Sequence, residues 1–122
     1  MIEKTILVVD DELDILTSVR LVLEGSGYRV HTSADSKGII ELMGKVSPDL
    51  VLLDVMLPNV SGYSICWQIK NNSQFQHIPV ILMTAKSSEG DRLMGTQMKC
   101  DGYLCKPFEK RALIDLIKKF LG

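Results

Sequence analysis

The run Leu50-Val51-Leu52-Leu53-Asp54 constrains this chain more than any other stretch. Consecutive apolar residues leave no polar face, so the segment reads as a strand buried on both sides, as in a parallel sheet covered by helices. The strand ends on a carboxylate, and Pro58 is expected to rule out further regular pairing. Asp54 is therefore expected at the carboxyl end of a buried strand, facing the crevice where open α/β sheets bind ligands. An isolated Asp is equally a turn former. The rest of the chain decides between these readings.

Thr5 to Val9 reads as the first strand in chain order, ending at Asp10-Asp11-Glu12, whose acids suit the N-terminus of a helix. That helix carries Leu16, Val19, Val22 and Leu23 at helical spacing and stops at Gly25-Ser26-Gly27. Tyr28 to Thr32 alternates apolar and polar residues, as an edge strand does. Ser36 is expected to cap a helix carrying Ile39, Leu42, Met43 and Val46, which closes before Ser47-Pro48-Asp49. After Asp54, Ser61 or Gly62 opens a third helix with Ile65, Cys66 and Ile69 inward, ending at Asn71-Asn72-Ser73. Ile78 to Met83 reads as the fourth strand, Ser87 to Met98 as a poor helix carrying Gly90 and Gly95, and Gly102 to Cys105 as the fifth strand. Leu113, Leu116, Ile117, Phe120 and Leu121 mark the inner stripe of a closing helix.

Strands alternating with helices predict an α/β fold, a doubly wound five-stranded parallel sheet with right-handed crossovers. The first and third strands are wholly apolar and so central, whereas the second alternates and belongs at an edge. This favours order 2-1-3-4-5, the flavodoxin-like (βα)5 arrangement. At 122 residues the chain forms one domain, taken as 1–122, large enough to bury a core without staples. A net charge of −1 supplies no general field for direct nucleic-acid contact or for a membrane surface. No apolar run approaches the roughly 20 residues of a membrane span, and Met1-Ile2-Glu3-Lys4 is no secretory signal. Three cysteines without a CxxC pair fit a reducing, cytoplasmic compartment and behave as small apolar residues.

In the expected order the strand ends deliver Asp10 and Asp11, then Asp54, Thr84 and Lys106, along one edge of the sheet. Each pair of like charges at 4 Å costs roughly 4 kcal/mol at an effective dielectric of 20, so the acids require a cation. Lys106 alone is too little. Oxygen-only ligands select a hard ion, and Mg2+ fits best because it binds through one or two carboxylates and keeps water and phosphate oxygens. Carboxylate, divalent ion, hydroxyl and ammonium together suit phosphoryl transfer, which depends on positioning and charge neutralisation. Asp54 is the best nucleophile, Asp10 and Asp11 are placed to hold the ion, and Thr84 and Lys106 can contact phosphoryl oxygens.

Asp10-Asp11, Asp54 with Pro58 and Gly62, Thr84-Ala85 and Lys106-Pro107-Phe108 together resemble the receiver domain of two-component response regulators, from about Thr5 to Leu121. The resemblance implies a phosphorylation-activated signalling switch rather than a turnover enzyme. Asp54 would accept a phosphoryl group from a histidine kinase, a histidine phosphotransfer protein or a small donor such as acetyl phosphate. Asp11, Asp54 and the Met56 backbone carbonyl would bind Mg2+ directly, with Asp10 acting through water. Thr84 would move toward the phosphoryl group and Tyr103 would swing inward behind it. The face formed by the fourth helix, fifth strand and fifth helix would then change partners. A cis Lys106-Pro107 bond is also implied.

Lys99-Cys100-Asp101-Gly102 stands where the family commonly has Gly-Ala-Asp-Asp, which puts a Lys at a position that often takes positive φ. Met56 and Lys86 offer no carboxylate or amide to orient a water, so self-dephosphorylation is expected to be slow. A haloacid-dehalogenase-like phosphatase would need an acid at position 56, and a nucleotide- or flavin-binding domain would need a glycine-rich loop after the first strand. A receiver-like module that is never phosphorylated would lack an acid, the Thr or the Lys, and none is missing. His31, His77 and Trp67 read as surface or packing residues, and Lys110, Arg111, Lys118 and Lys119 as a solvated face. The pathway, a fused effector or separate output partner, and a phosphorylation-dependent homodimer are left open.

Overall fold

The computed structural model describes residues 3–85 and 99–122. In chain order these form β1 (Thr5–Val9), α1 (Leu13–Gly25), β2 (Arg29–Ser33), α2 (Ile39–Val46), β3 (Leu50–Asp54), β4 (Met56–Leu57), β5 (Val60–Ser61), α3 (Gly62–Lys70), β6 (Val80–Thr84), β7 (Gly102–Cys105) and a C-terminal helix (Lys110–Leu121). The helix expected over Ser87 to Met98, and Lys86, lie outside the described residues.

The main sheet has five strands in the order β2-β1-β3-β6-β7, and every pairing in it is parallel. This is the 2-1-3-4-5 order expected from the apolar character of the strands. Their side chains feed two cores. Leu7, Val9, Val51, Leu53 and Leu82 pack with Ile39 and Met43 of α2 and Ile65, Cys66 and Ile69 of α3. Ile6, Val8, Leu50, Leu52, Ile81 and Met83 pack with Leu16, Val19 and Leu23 of α1 and Leu113 and Ile117 of the C-terminal helix. An alternating strand presents one set of side chains to each layer. β3 therefore has to be apolar up to Asp54, and all of it is buried.

Three local expectations are corrected. Pro58 does not end regular pairing: Met56–Leu57 and Val60–Ser61 form a small antiparallel ribbon around Pro58-Asn59. Asn59 takes φ 68 in that turn, a left-handed conformation that Asn tolerates better than most residues. Ser36 does not cap α2. Gly38 is the N-cap at φ 72, without a side-chain cap, and the Ser36 carbonyl accepts from the Ile39 amide at 3.2 Å. The fourth strand begins at Val80 rather than Ile78, because Pro79 cannot donate a ladder bond. Lys99 does take the left-handed conformation in question, at φ 65, and the Lys106-Pro107 bond is cis.

Candidate functional site

Four strand ends build the site. At the end of β1 the Asp10 amide donates to the Ser33 carbonyl of neighbouring β2 at 3.1 Å. Asp10 Oδ1 accepts the Glu12 amide at 2.9 Å, which fixes the carboxylate at the start of α1. The other oxygen, Oδ2, lies 2.7 Å from Lys106 Nζ, and Asp10 is fully buried.

Beside it, Asp54 ends β3, with 4% of its surface exposed. Its Oδ1 accepts the Met56 amide at 3.3 Å and lies 3.5 Å from Lys106 Nζ. The Val55 amide donates to the Met83 carbonyl, and the Gly62 amide donates to the Val55 carbonyl at 2.8 Å. That second bond folds the start of α3 against the chain that carries Asp54. Only glycine allows the approach, since a Cβ on Gly62 would collide with the Asp54 carbonyl and lie 2.8 Å from Val55 Cα. Ser61 then caps α3 by accepting the Tyr63 amide at 3.1 Å.

On the other side, Thr84 ends β6 and is buried. Its carbonyl accepts the Lys106 amide at 2.7 Å, which carries the Lys106 side chain across the end of the sheet. Lys106 Nζ also stands 3.6 Å from Glu12 Oε1. Carboxylate oxygens of Asp10, Glu12 and Asp54 all lie within 4.8 Å of one another. Glu12, which the sequence reading treated only as a helix opener, thus supplies the third carboxylate, while Asp11 is exposed. Glu12 is the N-cap of α1, and that position brings its side chain back over the end of β1. Met56 is 76% exposed. Tyr103 on β7 is half-buried and packs against the α2–α3 core.

One ammonium thus faces three carboxylates. Burial first, and then the Asp10 charge, push the Asp54 carboxyl up to about 6, against the opposing pull of Lys106 and the Met56 amide. Burial pulls the Lys106 ammonium down, but its bond to Asp10 and the charges of Asp10, Asp54 and Glu12 outweigh that and raise it overall. A protonated Lys106 and a reluctant Asp54 mark a pocket short of positive charge. Hard oxygen donors, buried negative charge and no His or Cys among them fit a hard divalent cation.

The same chain-long pattern is found in known proteins. The family model for the response regulator receiver domain matches residues 6–118. The chain belongs to this family. This receiver domain is 38% identical to the alkaline phosphatase synthesis transcriptional regulatory protein PhoP of Bacillus subtilis over 118 residues, 97% of this chain and 48% of that protein. It thus spans about half the length of that curated relative. Its fold matches chemotaxis protein CheY4 of Vibrio cholerae with a TM-score of 0.92 and 26% identity, covering 98% of this chain and 99% of that one. The response regulator DrrB of Thermotoga maritima matches at TM-score 0.87 and 37% identity, with 98% of this chain and 53% of that one covered. No helix among the described residues of the receiver domain is long and apolar enough to cross a membrane.

Proposed function

We propose that residues 1–122 form a single receiver domain in which Asp54 is the phosphoacceptor, and that its phosphorylation alters a partner-binding face. The observation that carries this reading is the convergence of Asp10, Glu12 and Asp54 on one lysine, Lys106, at the carboxyl edge of the sheet.

An ionised Asp54 oxygen attacks the phosphorus of a phosphohistidine on a kinase or phosphotransfer protein. The phosphorus–nitrogen bond breaks, its electron pair stays on the imidazole, and the phosphoryl group becomes an acyl phosphate on Asp54. Asp10, Asp11, Asp54 and the Met56 carbonyl would hold Mg2+, with Glu12 close enough to join them. The ion supplies neutralisation of phosphoryl charge. Lys106 fixes one phosphoryl oxygen by a charged hydrogen bond, and the Thr84 hydroxyl donates to another. Asp10 keeps Lys106 in place while it does so. Movement of Thr84 toward the phosphoryl group makes room for Tyr103, which carries the change to β7 and its neighbours. The domain releases no product other than by slow loss of phosphate, so it acts as a switch and not as a turnover enzyme. Its setting is cytoplasmic, and its output passes to a fused effector, a separate protein or a second copy, without direct contact with nucleic acid or membrane.

Intact mass after incubation with acetyl phosphate and Mg2+ tests this. A single phosphoryl increment that is absent in Asp54→Asn, and absent when EDTA replaces Mg2+ during the incubation, is the expected outcome. An unchanged mass, or the same increment in Asp54→Asn, contradicts it.

A further inference from the structure

The proposed phosphoryl chemistry uses none of the cysteines, yet two of them meet. Cys66 on α3 is buried, Cys100 in the turn before β7 is half-buried, and their Sγ atoms lie 2.7 Å apart although 34 positions separate them in sequence. Non-bonded carbon atoms rest at about 3.5–4.0 Å, so this is already well inside ordinary contact. A disulfide needs roughly 2.0 Å.

A second set of bonds holds the two segments in this register. Lys70, one turn beyond Cys66, places Nζ 2.6 Å from Asp101 Oδ2, beside Cys100. The same ammonium donates to the Ile78 carbonyl at 2.6 Å and to the Gln76 carbonyl at 3.3 Å. Asp101 Oδ2 accepts the Val80 amide at 2.7 Å, and the Asp101 amide donates to the Val80 carbonyl at 2.9 Å. Helix α3, the start of β6 and the turn are pinned together one residue from Cys100 and one helical turn from Cys66. The turn itself relies on Lys99 at φ 65. Two thiols presented by anchored backbone have a high effective concentration toward each other.

We propose that Cys66 and Cys100 are an oxidisable pair that closes to an internal disulfide through exchange with a small-molecule disulfide such as oxidised glutathione. Cys100, the more exposed thiol, loses its proton and attacks one sulfur of the small disulfide. That S–S bond breaks and one small thiol leaves. Cys66 then loses its proton and attacks Cys100 Sγ, the mixed disulfide breaks, and the second small thiol leaves. The two protein thiols are oxidised, the small disulfide is reduced, and the two protons end on the two departing thiols. The Cys66 sulfur, followed by burial, holds the Cys100 thiol well above its ordinary value, so the first step is slow at neutral pH. The advantage of the geometry lies in the second step. The closed bridge links α3, which follows the Asp54 loop, to the turn leading into the strand that carries Tyr103. In a reducing cytoplasm such bonds form when the thiol balance shifts, and they reverse afterwards.

The test is native incubation of the full chain with oxidised glutathione at pH 8, alkylation, and peptide mapping without reduction. A Cys66–Cys100 cross-linked peptide is expected from monomeric protein, with Cys105 outside the bridge and dithiothreitol restoring both thiols. Cys66→Ser should instead stop at a stable glutathione adduct on Cys100. Lys70→Met should lower the yield of the cross-link several-fold. In denaturant, pairing should scramble to include Cys105. If native protein carries a lasting glutathione adduct at Cys100 with Cys66 still alkylated after unfolding, the proposal fails. It fails equally if both thiols stay unmodified while Cys105 reacts. The native peptide map decides even if a variant does not fold.

Discussion

Lys106 and Asp10 form a buried ion pair, Nζ to Oδ2 at 2.7 Å, across the two ends of the chain. Asp10 ends the first strand and Lys106 follows the last, so the pair exists only once the sheet is complete. The same ammonium faces Glu12 and Asp54. It is the one cation shown paired with that acidic group among the described residues.

Replacing Lys106 by Met should therefore lower the stability of metal-free protein by roughly 3–5 kcal/mol, the range for breaking one side of a buried pair. Mg2+ should restore more stability to this variant than to the native chain, because a competing positive charge has gone. Urea unfolding in EDTA and in Mg2+ measures both effects.

The raised Asp54 carboxyl predicts a pH dependence of definite sign. Its folded-state value of about 6 exceeds the ordinary 3.8, so the folded chain binds this proton more tightly than the unfolded chain does. Its contribution is therefore most favourable below 3.8, falls as pH rises to about 6, and stays flat above. Asp54→Asn removes that slope and should be the more stable protein at pH 7, by about 1–3 kcal/mol in EDTA. Parallel denaturation curves of the two chains between pH 4 and 8 give the difference.

Gly62 offers a steric test. Its missing side chain lets α3 begin against the Asp54 carbonyl, so Gly62→Ala must push the two segments apart. A loss of roughly 1–3 kcal/mol is expected, the usual cost of overpacking. Weaker Mg2+ binding should accompany it, because the displaced backbone carries Asp54 and Met56. Isothermal titration with Mg2+ measures that loss.

Met56, exposed beside Asp54, should govern the lifetime of the acyl phosphate. Its thioether cannot orient an attacking water. Met56→Asn, which can, should shorten the phosphoryl half-life by about tenfold, a modest gain from positioning. Loss of label from phosphorylated protein over time gives the ratio, and a native half-life of seconds would count against slow hydrolysis.

The strand order was legible because unbroken apolar runs can sit only in the middle of a covered sheet, and the alternating Arg29–Ser33 only at its edge. The site was legible to the extent that strand ends announce themselves: Asp10, Asp54, Thr84 and Lys106 each terminate or follow a strand. What escaped depends on how backbone bends between elements. The ribbon around Pro58-Asn59 needs a left-handed Asn, which residue type permits but does not require. Gly38 displaced Ser36 at the start of α2 for a similar reason. Glu12 was missed because a side chain's reach around a helix start is invisible in linear spacing. The meeting of Cys66 with Cys100 joins two segments through tertiary packing alone.

Borohydride reduction of the phosphorylated domain, followed by peptide sequencing, most directly locates the reacting carboxylate, since an acyl phosphate of Asp is reduced to homoserine. The account predicts homoserine at position 54 only, and only when Mg2+ was present during phosphorylation. Homoserine at Asp10 or Asp11, or a phosphate on serine or threonine that resists hydroxylamine, would contradict it.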